Sequence, residues 1–201
     1  MNNVALYSHY YGTPPENDYV LSMPWGAYSH IDYIDFIYLV ITDDISEWER
    51  FFSNINVHSN IFVKYISISS FCEALKFLDL DFRSYFSRGK LSAQKTGRDL
   101  CGLKPFLFLL DSQNLNYSKV GWIDADTILS KHAFHREYID KITEGSIGRF
   151  YKHGPLALFD NSKIYKNFLK TDGRKSLYAW RKKRRVFRGW DDDSPNGFKD
   201  A

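Results

Sequence analysis

Three Asp-x-Asp tripeptides occur in the sequence: Asp79-Leu-Asp81, Asp124-Ala-Asp126 and Asp191-Asp-Asp193. Two carboxylates at this spacing share a divalent cation only if both point the same way, so the surrounding element decides which of the three can do chemistry. Asp79 and Asp81 fall within a helical pattern, where residues two apart diverge by about 200°. Asp124 and Asp126 instead follow the apolar run Val120-Gly-Trp-Ile123. At the end of a strand, positions i and i+2 project to one side, and the small Ala125 leaves room between them. Hard carboxylate oxygens suit Mg²⁺ or Mn²⁺, ions that keep coordination positions for substrate phosphates. The structural alternative is that Asp126 caps the next turn through Thr127 while Asp124 is a solvated strand end.

The elements that would carry this pair follow from periodicity. Asn3 to Tyr10 alternates as a first strand, and Gly12, Pro14 and Pro15 then open a long loop. Asp35 to Thr42 and Ile61 to Ser67 are rich in β-branched and aromatic residues and read as buried parallel strands. Phe71, Ala74, Leu75, Leu78, Phe82 and Phe86 recur at helical spacing, with Ser70 as N-cap and Glu73 completing a capping box. A second helical stretch runs from Ser92 to Leu110, broken near Gly102 and Pro105. After the acidic strand end come a short helix over Lys131 to Lys141, strands at Ile147 to Phe150 and Pro155 to Phe159, and a helical region from Ile164. Strands alternating with helices predict an α/β sandwich on a mostly parallel sheet, in which ligands bind beyond the carboxyl ends of the strands.

With 201 residues, 44% hydrophobic and 25% charged, the chain can bury a core without a disulfide or structural metal. One domain over residues 1–201 is expected, with a distinct basic segment over 174–201. That segment holds nine Lys/Arg against four Asp, so its +5 exceeds the +3 of the whole chain and leaves the body at −2. A basic stripe along the body for nucleic acid is therefore absent. Cys72 and Cys101 have no metal-ligand spacing and read as buried reduced thiols. Met1 to Tyr11 has no secretory pattern and no apolar run approaches a bilayer span, which points to a cytoplasmic location.

The stretch Asp99-Leu-Cys-Gly-Leu-Lys-Pro-Phe-Leu, followed after a loop by Val120-Gly-Trp-Ile-Asp-Ala-Asp-Thr-Ile-Leu, resembles nucleotide-sugar-dependent glycosyltransferases of the GT-A fold. The nearest likeness is to polysaccharide-biosynthesis transferases of bacteria and large viruses, where a helix with a Lys-Pro pair precedes a strand ending in Asp-x-Asp. The pattern covers roughly residues 3–170, and the Asp-x-Asp segment is its specific part. The resemblance implies a Rossmann-like α/β/α sandwich, a nucleoside-diphosphate sugar donor (a UDP-sugar foremost) and a glycan or lipid-linked acceptor.

Residue by residue, the resemblance gives Asp124 a contact to the donor ribose or the ion and makes Asp126 the principal ligand of Mn²⁺ or Mg²⁺. His9-Tyr10-Tyr11-Gly12 resembles the donor-binding first loop, and Ile41-Thr42-Asp43 the second strand end, with Asp43 near the base or ribose. Lys104 is a candidate for the donor phosphates, because a cation there offsets the charge of a departing diphosphate. Its alternative is a surface lysine at a helix end. His153-Gly-Pro-Leu-Ala-Leu-Phe-Asp-Asn161 is similar to the strand that follows the active site. Many such enzymes add a C-terminal histidine to the metal, whereas the last histidine of this sequence is His153. Either His153 serves, or water and substrate complete the shell, or the residue lies beyond this sequence.

Arg188-Gly189-Trp190-Asp191-Asp192-Asp193 is similar to the Gly-Trp-Gly-Glu-Asp-Asp segment of inverting galactosyltransferases but lacks its second glycine. It implies Asp191 or Asp192 as the base that deprotonates the acceptor, with Trp190 against the sugar ring; the alternative is a solvated acidic segment. Leu177, Trp180, Phe187 and Trp190 stand among the cations of 181–185, which leaves a peripheral contact with an anionic membrane open beside a simple solvated charge run. Two rival functions use the same features differently. A metal-dependent phosphoesterase would also place carboxylates at strand ends but wants more clustered His and Asp ligands. A nucleic-acid or membrane-surface module would bind through the basic segment with steep salt dependence.

Overall fold

A computed structural model of the protein describes residues 3–76, 103–111, 116–130, 136–140, 147–149 and 156–161. Strand β1 spans Val4–Tyr11 and is followed by helix α1 over Tyr19–Tyr28. Strand β2 (Asp35–Ile41) is buried along its whole length, and α2 follows over Ile45–Phe52. Strand β3 (Ile61–Ile66) leads into α3 (Ile68–Ala74). A 3₁₀ helix over Lys104–Leu110 precedes β4 (Lys119–Ile123), α4 (Arg136–Asp140), β5 (Ile147–Arg149) and β6 (Leu156–Asp160).

The six strands form one sheet in the order β3-β2-β1-β4-β6-β5. β1 pairs in parallel with β2 and with β4, and β2 in parallel with β3. β6 runs antiparallel to both β4 and β5. The sheet is thus mostly parallel, as the uninterrupted apolar runs of β2 and the opening of β1 require, since strands covered on both faces lose the polar alternation of half-exposed ones. Gly121 pairs with Leu158, and a side chain there would run into the Ala157 carbonyl, so the β4–β6 approach depends on a glycine.

Each face of the sheet has its own core. On one, Tyr7, Ile37, Leu39, Val120 and Trp122 pack against Phe71 of α3 and against Phe106, Leu107 and Phe108 of the 3₁₀ helix. On the other, Leu6, Phe36, Val40 and Ile123 pack against Leu21 and Trp25 of α1, Trp48 and Phe52 of α2, and Ile139 of α4. Helical layers on both faces make an α/β sandwich compatible with a Rossmann-like arrangement.

The segment after β1 contains a helix where the sequence reads as a loop. Pro24 and Gly26, both inside it, are loop signals, and Asp18 makes no side-chain cap bond. What holds α1 is burial of Leu21, Pro24, Trp25 and Tyr28, an i, i+3, i+4, i+7 stripe. Helix α2, not anticipated from sequence, is capped by Asp44, whose side chain accepts the Glu47 amide at 3.3 Å. Helix α3 begins earlier than expected: Ser67, not Ser70, is the N-cap and accepts the Ser70 amide at 3.1 Å. Ser67 is extended and directly follows β3, so the turn into the helix needs no intervening loop. The stretch at 104–110 is 3₁₀, not α. Expected elements at 77–102 and beyond 161 lie outside the described residues.

Candidate active site at the β1–β4 crevice

From β1 the chain proceeds outward to β2 and β3, then returns to place β4 on the other side of β1. The strand order reverses between β1 and β4, and in open α/β sheets the crevice beyond the carboxyl ends at such a reversal is where ligands bind. The side chains delivered there are His9, Tyr10 and Tyr11 from the end of β1, and Asp124 immediately after β4. Gly12 turns the chain out of β1 with φ of +79°, a left-handed conformation suited to glycine. Its amide donates to the Ile41 carbonyl at 3.1 Å and its carbonyl accepts from Trp48 Nε1 at 2.6 Å, which fixes the rim against β2 and α2.

The acid pair does not follow strand alternation to its end. β4 stops at Ile123, and the Thr127 amide donates to the Asp124 carbonyl at 3.0 Å, closing a turn over Asp124–Thr127. The expectation that the two acids stand at i and i+2 of a strand end is therefore corrected: both lie in the turn beyond β4. Asp124 faces the 3₁₀ helix, where its Oδ1 lies 2.6 Å from Lys104 Nζ. Asp126 is exposed, and its charge falls on Tyr28 and Tyr38 in the opposite layer. The two acids nonetheless share a neighbourhood, because burial and then the charges of Asp126 and Asp124 all push the Tyr28 hydroxyl pKa upward. That hydroxyl donates to the Thr127 carbonyl and so braces the turn.

Lys104 is neither a surface lysine nor open to the crevice: its side chain is 4% exposed, against 29% for Asp124. A buried ammonium needs a carboxylate partner, and Asp124 supplies it. A direct role on donor phosphates would require this ammonium to leave Asp124. On the same face, His9 Nδ1 is buried with no hydrogen-bond partner among the described residues. Burial, reinforced by the charge of Lys104, pushes the His9 pKa down to about 3, so its imidazole is neutral at physiological pH. Its ring meets Tyr11 edge-on at 5.0 Å.

On the other face, Tyr10 is half-buried and meets Trp48 edge-on at 5.0 Å. Tyr38 is buried, and its hydroxyl has no hydrogen-bond partner among the described residues. Tyr28, Tyr38 and Trp48 were not legible as site residues, because in sequence they are indistinguishable from the other aromatic residues of the core. Only topology brings Tyr28 and Tyr38 near the acid pair and Trp48 beside Tyr10.

Thr42 and Asp43 have structural partners at the end of β2. Thr42 is buried, with its Oγ1 accepting the Asp44 amide at 3.0 Å. Asp43 is exposed and accepts the Ile68 amide at 3.0 Å, which ties β2 to the start of α3. His153, Asp191 and Asp192, with the whole basic segment, lie outside the described residues. Among the described residues no helix is long and apolar enough to cross a membrane.

Among the described residues no group of three or more His, Cys, Asp or Glu converges to form a complete metal cage. The donor set at the turn still fits Mg²⁺ or Mn²⁺, which are commonly held by one or two carboxylates with substrate phosphates and water completing the shell. Asp126, exposed at the turn, and the neighbouring Asp124 are the residues that would hold it. A cavity of ≈480 Å³ lies at the opposite, amino-terminal edge of the sheet. Its lining includes Asp32, Asp140, Lys119 and Arg136, two acids balanced by two cations, and it receives neither Asp124 nor Asp126. No protein-family model matches the sequence, and no curated protein matches it.

Proposed function

We propose that this chain is a metal-dependent glycosyltransferase of GT-A type, moving a sugar from a nucleoside-diphosphate sugar to a glycan or lipid-linked acceptor with inversion. The observation that carries the reading is an acidic turn at the point where the strand order of a mostly parallel sheet reverses, with one acid held by a buried lysine and the other exposed.

In this reading Asp126 with Asp124 holds the divalent ion, and the chemistry such an ion supplies when bound is to offset charge on the leaving diphosphate. Lys104 keeps Asp124 at its station, and Tyr28 keeps the turn closed through Thr127. His9, neutral and with Nδ1 without a described partner, offers the donor an uncharged polar contact. Tyr10 lends the crevice an aromatic wall backed by Trp48. Asp191 or Asp192 takes the acceptor proton, the role their likeness to the galactosyltransferase segment implies.

The test is turnover of a panel of nucleotide sugars, UDP-sugars first, with Mn²⁺ and with chelator. Chelator-sensitive transfer or hydrolysis, lost by about a hundredfold or more in Asp126→Ala, supports the reading. Turnover of none of them, with a correctly folded protein and no nucleotide binding, contradicts it.

A further inference from the structure

The Lys104–Asp124 pair poses a problem for any cation bound at the turn. An ammonium 2.6 Å from one of the two acids, with its side chain 4% exposed, sits where solvent screens it poorly. Its charge is felt as far as His9. The same charge repels a divalent ion approaching Asp124 and occupies one of that residue's carboxylate oxygens. The repulsion is offset when a polyanion arrives, because the negative charge of a diphosphate attracts the ion while Lys104 stays on Asp124.

We infer that Lys104 is a positioning residue that acts through Asp124 as an electrostatic lock: it holds the acid in place while keeping the turn a poor ion site until a nucleoside diphosphate is present. Ion and diphosphate therefore bind cooperatively, and by linkage each raises the affinity of the other by the same factor. This inference rests on the glycosyl-transfer reading, and specifies how its donor site is loaded.

The test is a Mn²⁺ titration of the full chain, with free aqueous Mn²⁺ followed by electron paramagnetic resonance. It is run with and without UDP and corrected for Mn²⁺–UDP formed without protein. In the wild type, UDP raises protein-bound Mn²⁺ affinity by about tenfold or more. Lys104→Met raises Mn²⁺ affinity without UDP by about tenfold and shrinks the UDP effect, while Lys104→Arg, which keeps the charge, preserves it. Lys104→Met with unchanged or weaker Mn²⁺ binding, its fold verified by circular dichroism, overturns the lock. If that variant fails to fold, the wild-type titration still decides, because equal Mn²⁺ affinity with and without UDP overturns the lock by itself. A wild type that binds no UDP even with Mn²⁺ contradicts the glycosyl-transfer reading instead, so the two failures are distinguishable.

Discussion

The phenol of Tyr28 donates a hydrogen bond to the backbone carbonyl of Thr127, joining the last turn of α1 to the turn that carries the acid pair. The contact spans 99 positions of sequence and lies beside both acids, since their charges act on the same hydroxyl. A turn braced this way keeps its backbone in place, which lowers the ordering cost when a ligand binds.

Removing the brace tests its importance. Tyr28→Phe keeps the ring stacked on Phe36, whose centroid is 4.1 Å away, and deletes only the hydroxyl. Loss of one such hydrogen bond corresponds to up to about tenfold in affinity. The expected result is a KM for the nucleotide sugar raised between about threefold and tenfold, read by steady-state kinetics, with little change in melting temperature.

His9, whose Nδ1 is buried, makes stability depend on acid. Its pKa falls from 6.5 to about 3 on folding, first through burial and then through Lys104. Between those values the unfolded chain binds the proton and the folded chain does not, so stability is greatest above about pH 6.5 and declines as pH falls toward 3. One proton sets an upper limit of about 1.4 kcal/mol per pH unit to this slope. Urea melts at stepped pH should show a shallower acid decline in His9→Gln than in the wild type.

A second buried network spans β1, β3 and the residue after the 3₁₀ helix. Asp111 accepts from Tyr7 at 2.9 Å and from Lys64 at 2.8 Å, and its side chain is 2% exposed. Lys64→Met leaves that carboxylate buried without its cation and should cost about 3 kcal/mol. Tyr7→Phe leaves the ion pair intact and should cost about 1.5 kcal/mol. Chemical denaturation that reverses this order would show that the hydrogen bond, and not the charge pair, anchors Asp111.

The strands were legible because β-branched and aromatic runs such as Asp35–Ile41 and Ile61–Ile66 have no helical period to compete with. Helix α1 was hidden by Pro24 and Gly26, and its stability comes from tertiary burial of Trp25 and Tyr28, which no local signal announces. The acid pair could be found from its place after an apolar run. Its geometry could not, because the hydrogen bond from Thr127 to Asp124 ends the two-residue period one step too soon. Burial of Lys104 was hidden for a similar reason: a lysine at the start of an apolar stretch reads as solvated until a partner such as Asp124 is brought to it by the fold.

The most direct measurement is a crystal structure of the protein soaked with UDP and Mn²⁺, with the ion located by its anomalous scattering. The expected result is a peak within about 2.0–2.3 Å of an Asp126 carboxylate oxygen, with the diphosphate in the crevice between β1 and β4. Mn²⁺ and UDP bound elsewhere, for example in the cavity lined by Asp32 and Arg136, with the Asp124–Thr127 turn bare, would contradict it.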